Sequence, residues 1–184
     1  MALFTRPAPA PAPAPALVLV PETWTPEGTL VSQRFRALEG AIVLVYTADA
    51  DRGSAKYAVA CLGCTYRAAT NAAHNPMSET DAAKAANAHA AGCRAMPRGV
   101  PAGPDYTEAA EMIRTRLWAR RYGKTPHPVH ISDFNAIRVD LQRTTDWIKA
   151  LLTDLARSDP GFLAATPTSS GQGTRFTVQP FARP

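Results

Sequence analysis

The apolar positions in the N-terminal half of the chain form strand-like runs followed by one alanine-rich helical segment. Runs 40–47 and 56–60 are rich in β-prone residues and flank a polar stretch of turn-forming residues, which predicts a β-hairpin. The short apolar run 17–20 has the same character. At 78–81, Ser-Glu-Thr-Asp resembles a capping box with Asp in place of Glu, and 81–91 consists of good helix formers. The pattern therefore predicts a small β-rich unit followed by a helix.

The C-terminal half has the pattern helix, short helix, helix and hairpin. A capping-box sequence at 105–108 opens an amphipathic helix that Gly123 would end. Ser132 can cap a short helix, and the next segment, 144–157, carries apolar residues at 3-4 spacing. The apolar runs on either side of a loose loop at 167–173 then predict two short strands, which are 162–166 and 174–178.

Composition divides the chain into parts. Strict Pro-Ala alternation favours polyproline II, so we expect residues 1–16 to be a disordered tail. The Pro- and Gly-rich stretch 96–104 cannot form regular structure and predicts a linker. The expected fold class is α+β, with a β-rich module at 17–95 and a second domain at 105–180. We expect residues 105–180 to fold without the N-terminal half.

All three cysteines and one of the four histidines fall in two close pairs. Cys61 and Cys64 form Cys-x2-Cys, and His89 and Cys93 form His-x3-Cys, the spacing of a closed tetrahedral zinc site. The helix before His89 has only alanines as apolar residues and so offers little area for docking, whereas structural zinc contributes about 10–16 kcal/mol. We therefore predict one structural Zn²⁺ per chain, bound by these four residues.

Other interpretations of these residues stay open at the sequence level. Cys-x2-Cys can be a redox pair, although it lies between predicted strands rather than at a helix start, and the thiols can be unconnected. His74, in the gap between the ligand pairs, is a candidate substitute ligand. A catalytic zinc is not expected, because four protein ligands leave no open position. His127 and His130 hint at a second metal site, but no cysteine or acidic cluster completes it, so a rigid loop is the expectation.

Charge and motifs limit the classes of function. Residues 1–93 carry seven basic and seven acidic side chains, whereas residues 94–184 carry thirteen and eight, so the net charge of +5 is C-terminal. This surplus favours a polyanionic partner. We find no apolar run of membrane-spanning length, no secretory signal pattern and no catalytic motif. A non-enzymatic cytoplasmic protein without membrane contact is the expectation, because reduced cysteines suit that compartment.

The order of the C-terminal elements resembles a winged helix-turn-helix domain, whose length matches residues 105–180. In that family the third helix reads the major groove and the hairpin forms a wing beside the backbone. The resemblance implies that 144–157 is the recognition helix and 162–178 the wing. The residues that it places on DNA through the recognition helix and the wing are Arg143, Thr144, Thr145, Lys149, Thr153 and Arg175. On the first helix, the residues placed near phosphates are Arg116, Arg120 and Arg121.

The cysteine module is similar to small proteins of high-GC actinobacteria, in which Cys-x-Gly-Cys precedes an alanine-rich helix ending in His-Ala-x-x-Cys-Arg. The residues that carry this similarity are Cys61, Gly63, Cys64, His89, Ala90, Cys93 and Arg94. The similarity implies structural zinc. The expected function is that of a DNA-binding protein, either a transcriptional regulator or an accessory factor of a mobile element, with double-stranded DNA as partner. The alternative is a non-enzymatic adaptor whose zinc module and winged helix both bind protein, and a protein partner or a homodimer is then expected.

Overall fold

The computed structural model describes residues 23–49, 55–122, 124–169 and 173–181. The expected tail at 1–16 and the apolar run at 17–20 lie outside the described residues, as does Gly123. The described chain is a mixed α+β structure with two antiparallel sheets, which confirms the α+β class, while its division into a zinc module and a winged helix stays a prediction. Its first five elements are β1 (Thr29–Arg36), β2 (Ile42–Ala48), β3 (Ala58–Cys61), β4 (Arg67–Ala68) and α1 (Glu79–Gly92).

The N-terminal sheet has the strand order β1-β2-β3-β4, and α1 packs on one face. The predicted hairpin is confirmed, with Val43 opposite Cys61 and Tyr46 opposite Ala58. The helix prediction is confirmed as well, and Ser78 caps α1 by accepting a hydrogen bond from the Asp81 N–H at 3.2 Å. Strand β1 was not predicted, because polar residues interrupt its apolar positions.

The C-terminal half contains the predicted helices and hairpin together with one unpredicted strand. Its elements are α2 (Tyr106–Trp118), β5 (His127–Val129), a 3-10 segment (Ile131–Ile137), α3 (Arg138–Leu141), α4 (Thr145–Ser158), β6 (Leu163–Pro167) and β7 (Thr174–Val178). The sheet order is β5-β7-β6. The apolar side chains of α2 and α4 pack over this sheet around Phe134 and Phe162.

Three local predictions for this half need correction. The segment around His127 is a strand paired with β7 rather than a loop, a placement that its two prolines obscured. Helix α2 ends at Trp118, before the predicted stop. The short helix begins at Ile131, so Ser132 lies inside it, and the His130 N–H donates to the Asp133 carboxylate at 2.7 Å.

The two halves contact each other through a third apolar cluster and several hydrogen bonds. Val139 of α3 is buried with Leu44, Tyr46 and Leu62 of the first sheet. The Tyr46 hydroxyl donates to the Asn135 carbonyl at 2.8 Å. Residues 96–104 lie outside helices and strands, and their role as a linker between domains stays a prediction. Independent folding of residues 105–180 stays a prediction. A fragment of these residues would expose Val139, which the first sheet covers in the full chain.

Candidate functional site

The two ligand pairs of the N-terminal module meet in space. The Sγ atoms of Cys61, Cys64 and Cys93 and one ring nitrogen of His89 all lie within 4.8 Å of one another. Cys61 is the last residue of β3 and Cys64 lies in the turn that follows, while the last turn and C-cap of α1 carry the second pair. None of the three cysteines is in a disulfide. The sequence prediction that these four residues converge is therefore confirmed, and the cluster can hold a metal ion.

The spacing of the four atoms fits a small tetrahedral ion. Zinc bonds of about 2.3 Å to sulfur and 2.0–2.1 Å to nitrogen place two sulfurs about 3.8 Å apart, and a sulfur and a nitrogen about 3.5 Å apart. The Sγ atoms of Cys61 and Cys93 are 4.0 Å apart, and Cys64 Sγ lies 3.4 Å from His89 Nε2. A shared ion at the centre of the cluster would thus require little movement of the ligands.

Neighbouring groups fix the orientation of the ligands. The backbone N–H groups of Gly63 and Tyr66 point at the sulfurs of Cys61 and Cys64, both at 3.4 Å. The Tyr66 ring stacks on the His89 imidazole with centroids 4.0 Å apart and planes 8° from parallel. Such outer contacts hold metal ligands in position.

Gly63 is required by close packing. A Cβ atom at this position would lie 2.7 Å from the Met96 carbonyl oxygen and 2.5 Å from the Ala41 Cβ. The turn therefore fits against the chain that follows α1 only if residue 63 has no side chain.

The local surroundings shift the pKa values of three candidate ligands in different directions. Burial raises the pKa of Cys61 to about 11. Burial also acts to raise the pKa of Cys64, but the Tyr66 N–H, contacts with the neighbouring thiols and the Arg67 charge together lower it. Burial lowers the pKa of His89, which favours the neutral imidazole that binds metal.

The other histidines lie apart from the cluster. His74 is exposed in a turn with a positive φ of 59° and is not among the four clustered residues. His127 Nε2 donates to the Tyr122 carbonyl at 2.9 Å. Within the described ranges, no second group of three or more metal-ligating side chains is present. His74 is therefore not positioned to replace one of the four clustered ligands.

Several predicted DNA-facing residues surround the start of α4. Thr144 caps the helix by accepting from the Trp147 N–H at 3.2 Å. Arg143 donates to the Pro104 carbonyl at 2.5 Å. Thr145 is only 2% exposed, and its N–H and hydroxyl both donate to the Asp49 carboxylate. Thr145 is therefore not accessible to a base edge, and we remove it from the residues proposed to contact DNA.

The exposed face of α4 carries balanced charges. Lys149 pairs with Asp146 at 3.4 Å, and Arg157 pairs with Asp154 at 2.9 Å. Thr153 is exposed, and its hydroxyl donates to the Lys149 carbonyl at 2.9 Å. Lys149 and Thr153 are therefore accessible, as the resemblance requires, but this face has no surplus of positive charge.

The arginines of α2, of the segment after it and of the hairpin differ in their partners. Arg116 lies on α2, whereas Arg120 and Arg121 follow the end of that helix and are not on it, contrary to the expectation. Arg120 forms an ion pair with Asp133 at 2.8 Å. Arg116 donates to the Asp133 backbone carbonyl, and Arg121 to the carbonyls of residues 179 and 180. Arg175 is exposed on β7. The charge of Arg120 is thus compensated, whereas the partners of Arg116 and Arg121 are neutral carbonyls.

Four residues that join the halves near these sites were not predicted from the sequence. Arg138 is fully buried and donates to Thr145 Oγ1 at 2.9 Å and to the Arg143 carbonyl at 3.0 Å, and it lies 3.9 Å from Asp49. Arg67 and Asp140 form an ion pair at 2.7 Å. No sequence motif marks these pairs, because their members are far apart along the chain.

Comparisons with protein-family models, with curated proteins and with solved structures find no match to this chain. Across the described residues, no helix is both long enough and apolar enough to traverse a lipid bilayer.

Proposed function

We propose that the protein binds double-stranded DNA through its C-terminal half, as a transcriptional regulator or an accessory factor of a mobile element. The observation that carries the proposal is the order helix, strand, two helices and hairpin, with the sheet order β5-β7-β6. This is the arrangement expected of a winged helix-turn-helix, in which α4 would read the groove and the β6–β7 hairpin would be the wing. Because a fold alone does not define a ligand, the charges also have to support the proposal.

The charge distribution supports contacts to phosphate. A guanidinium bound to a carbonyl keeps its full positive charge, which is the situation of Arg116, Arg121 and Arg143. Arg175 adds an exposed charge on the hairpin. Among the residues that the structure describes, no carboxylate forms an ion pair with any of these four arginines. They are the residues to which we assign phosphate binding.

The metal proposed for the N-terminal cluster is Zn²⁺ in a structural role. Three thiolates and one imidazole favour zinc over harder cations, and four protein ligands close a tetrahedral shell. Free cysteines of this kind suit a reducing compartment, and we therefore propose a cytoplasmic location.

Salt-dependent binding to a fluorescent duplex of random sequence tests the function. The logarithm of the association constant should fall with the logarithm of salt concentration, with a slope of about −0.9 per neutralised phosphate. Arg175→Ala and Arg116→Ala should each reduce this slope by about one. Arg157→Ala is the matched control, because Asp154 already compensates that exposed charge. Absence of binding at low salt, or an equal loss in the control, would contradict the proposal.

The second candidate function is that of a protein adaptor, and one observation favours it. Asp49 and Arg138 cover the first turn of α4, where a recognition helix normally meets base edges. Under this alternative, the open groove of about 730 Å³ beside α2 would bind a protein. Its lining includes Met112, Ala119 and Ile137. Light scattering with wild type and Met112→Lys would test self-association, which is one form of this function. The adaptor takes precedence if duplex binding is absent and the wild type alone dimerises.

A further inference from the structure

Arg67 connects the metal-binding turn to the helices of the C-terminal half. Its Nη1 donates to three carbonyls of the turn, those of Cys61 at 2.8 Å, Cys64 at 3.3 Å and Tyr66 at 2.9 Å. Its Nε and Nη2 donate to the two carboxylate oxygens of Asp140 at 2.9 and 2.7 Å. One side chain therefore binds the metal turn and α3 at the same time.

The conformation of the turn that suits the metal is also the one that binds Arg67. The N–H groups of Gly63 and Tyr66 point to the ligand sulfurs, while the carbonyls of the same segment point to the guanidinium. A change in the turn that disperses the sulfurs would also disperse these carbonyls. Metal binding and Arg67 binding thus favour a single backbone conformation.

Asp140, the partner of Arg67, lies only a few residues before the start of α4. Asp140 lies in α3, and Gln142 ends that helix in the left-handed region with a φ of 46°. Thr144 then caps α4. A second contact runs beside the ion pair, because Leu62 of the metal turn is buried in the same apolar cluster as Val139 of α3. A shift of the turn would therefore displace α3 and, with it, the start of α4.

We propose that Arg67 couples occupancy of the Cys3His site to the position of α3 and the start of α4, so that metal binding and the Arg67–Asp140 ion pair stabilise each other. The proposal rests on the metal site of the proposed function but not on DNA binding. Because coupling between two sites is reciprocal, a residue on α3 that touches no ligand should influence metal affinity. Asp140 is that residue. If DNA binds through α4, metal occupancy also regulates DNA affinity.

Zinc affinity of the full-length chain, measured by competition with a chromophoric chelator, tests the coupling. Asp140→Asn keeps the shape of the side chain and removes its charge, and it should weaken zinc binding about fivefold or more. Asp154→Asn is the matched control, since it removes the same charge from an exposed ion pair on α4. It should leave affinity unchanged. In the Arg67→Met background, Asp140→Asn should have little further effect. Wild-type affinity in Asp140→Asn, or absence of zinc binding by the wild type, would overturn the proposal.

Hydrogen exchange provides a readout independent of affinity. Zinc should increase amide protection over residues 138–148 in the wild type and do so less in Asp140→Asn. Unchanged protection of this segment in the wild type would overturn the coupling, whether or not the chain binds DNA. If protection changes but zinc leaves DNA affinity unaltered, the coupling is supported and only regulation of DNA binding is refuted.

Discussion

Removal of the metal should release helix α1 from the N-terminal sheet. The residues that α1 buries are Ala82, Ala86 and Ala90. Each buried methyl contributes about 0.8 kcal/mol, so this face contributes roughly 2–3 kcal/mol. A helix of 14 residues is marginal in water even with favourable composition. The alanine face alone should therefore not hold α1 in place.

The proposed zinc would supply several times more stabilisation than the alanines. A bound ion would attach the end of α1, through His89 and Cys93, to the two cysteines at and after the end of β3. Structural zinc contributes about 10–16 kcal/mol in small modules. Even the loss of about 3 kcal/mol of local stability corresponds to more than a hundredfold faster amide exchange, since each 1.4 kcal/mol is tenfold. We expect an acceleration of at least this size over residues 82–92 after metal removal.

The assay is hydrogen exchange by mass spectrometry on zinc-loaded and chelator-treated protein, with metal content measured in parallel. The hairpin β6–β7 is the comparison segment, because it lies outside both α1 and residues 138–148, the two segments whose protection the metal is expected to change. Cys93→Ser should reproduce the effect of the chelator. Retained protection of α1 in metal-free protein would refute the reasoning, since the alanine face would then be sufficient.

Three further substitutions test the contacts described above. Asp49→Ala leaves Arg138 buried without that carboxylate and removes the acceptor of Thr145, so urea unfolding should show a loss of about 3 kcal/mol; a loss below about 1 kcal/mol would contradict this. Tyr46→Phe removes one hydrogen bond between the halves and should cost about 1 kcal/mol with unchanged zinc content. Gly63→Ala should reduce the zinc content of purified protein, because the added Cβ overlaps a backbone carbonyl; full occupancy would show that the turn can shift.

The convergence of the Cys3His side chains could be predicted from the sequence because the pattern that indicates it is local. Two close ligand pairs and a capped alanine helix determine where the four side chains can lie, and α1 with its Ser78 cap follows the expected pattern. Helix α4 could also be predicted from the sequence, because Ile148, Leu151 and Leu152 recur at helical spacing, and all three are buried in the structure.

The contacts between the halves could not be predicted in this way. Asp49 and Thr145 are 96 residues apart, and Arg67 and Asp140 are 73 apart, so no local pattern joins them. Thr145 illustrates the consequence, because the resemblance placed it on DNA while a distant carboxylate covers it. Strand β5 was missed for a different reason. Its three residues contain a central proline and resemble a loop in the sequence, and they form a strand because they pair with β7.

The apolar cluster shared by the halves has a consequence for synthesis on the ribosome. Tyr46 and its partner Asn135 are 89 residues apart, and translation at about 5–20 residues per second separates them by roughly 5–20 s. During this interval Leu44, Tyr46 and Leu62 have no Val139 to cover them. The nascent first sheet thus presents an uncovered apolar strip to chaperones and to neighbouring chains. Truncated chains that end before α3 should accordingly aggregate more readily than the full-length protein.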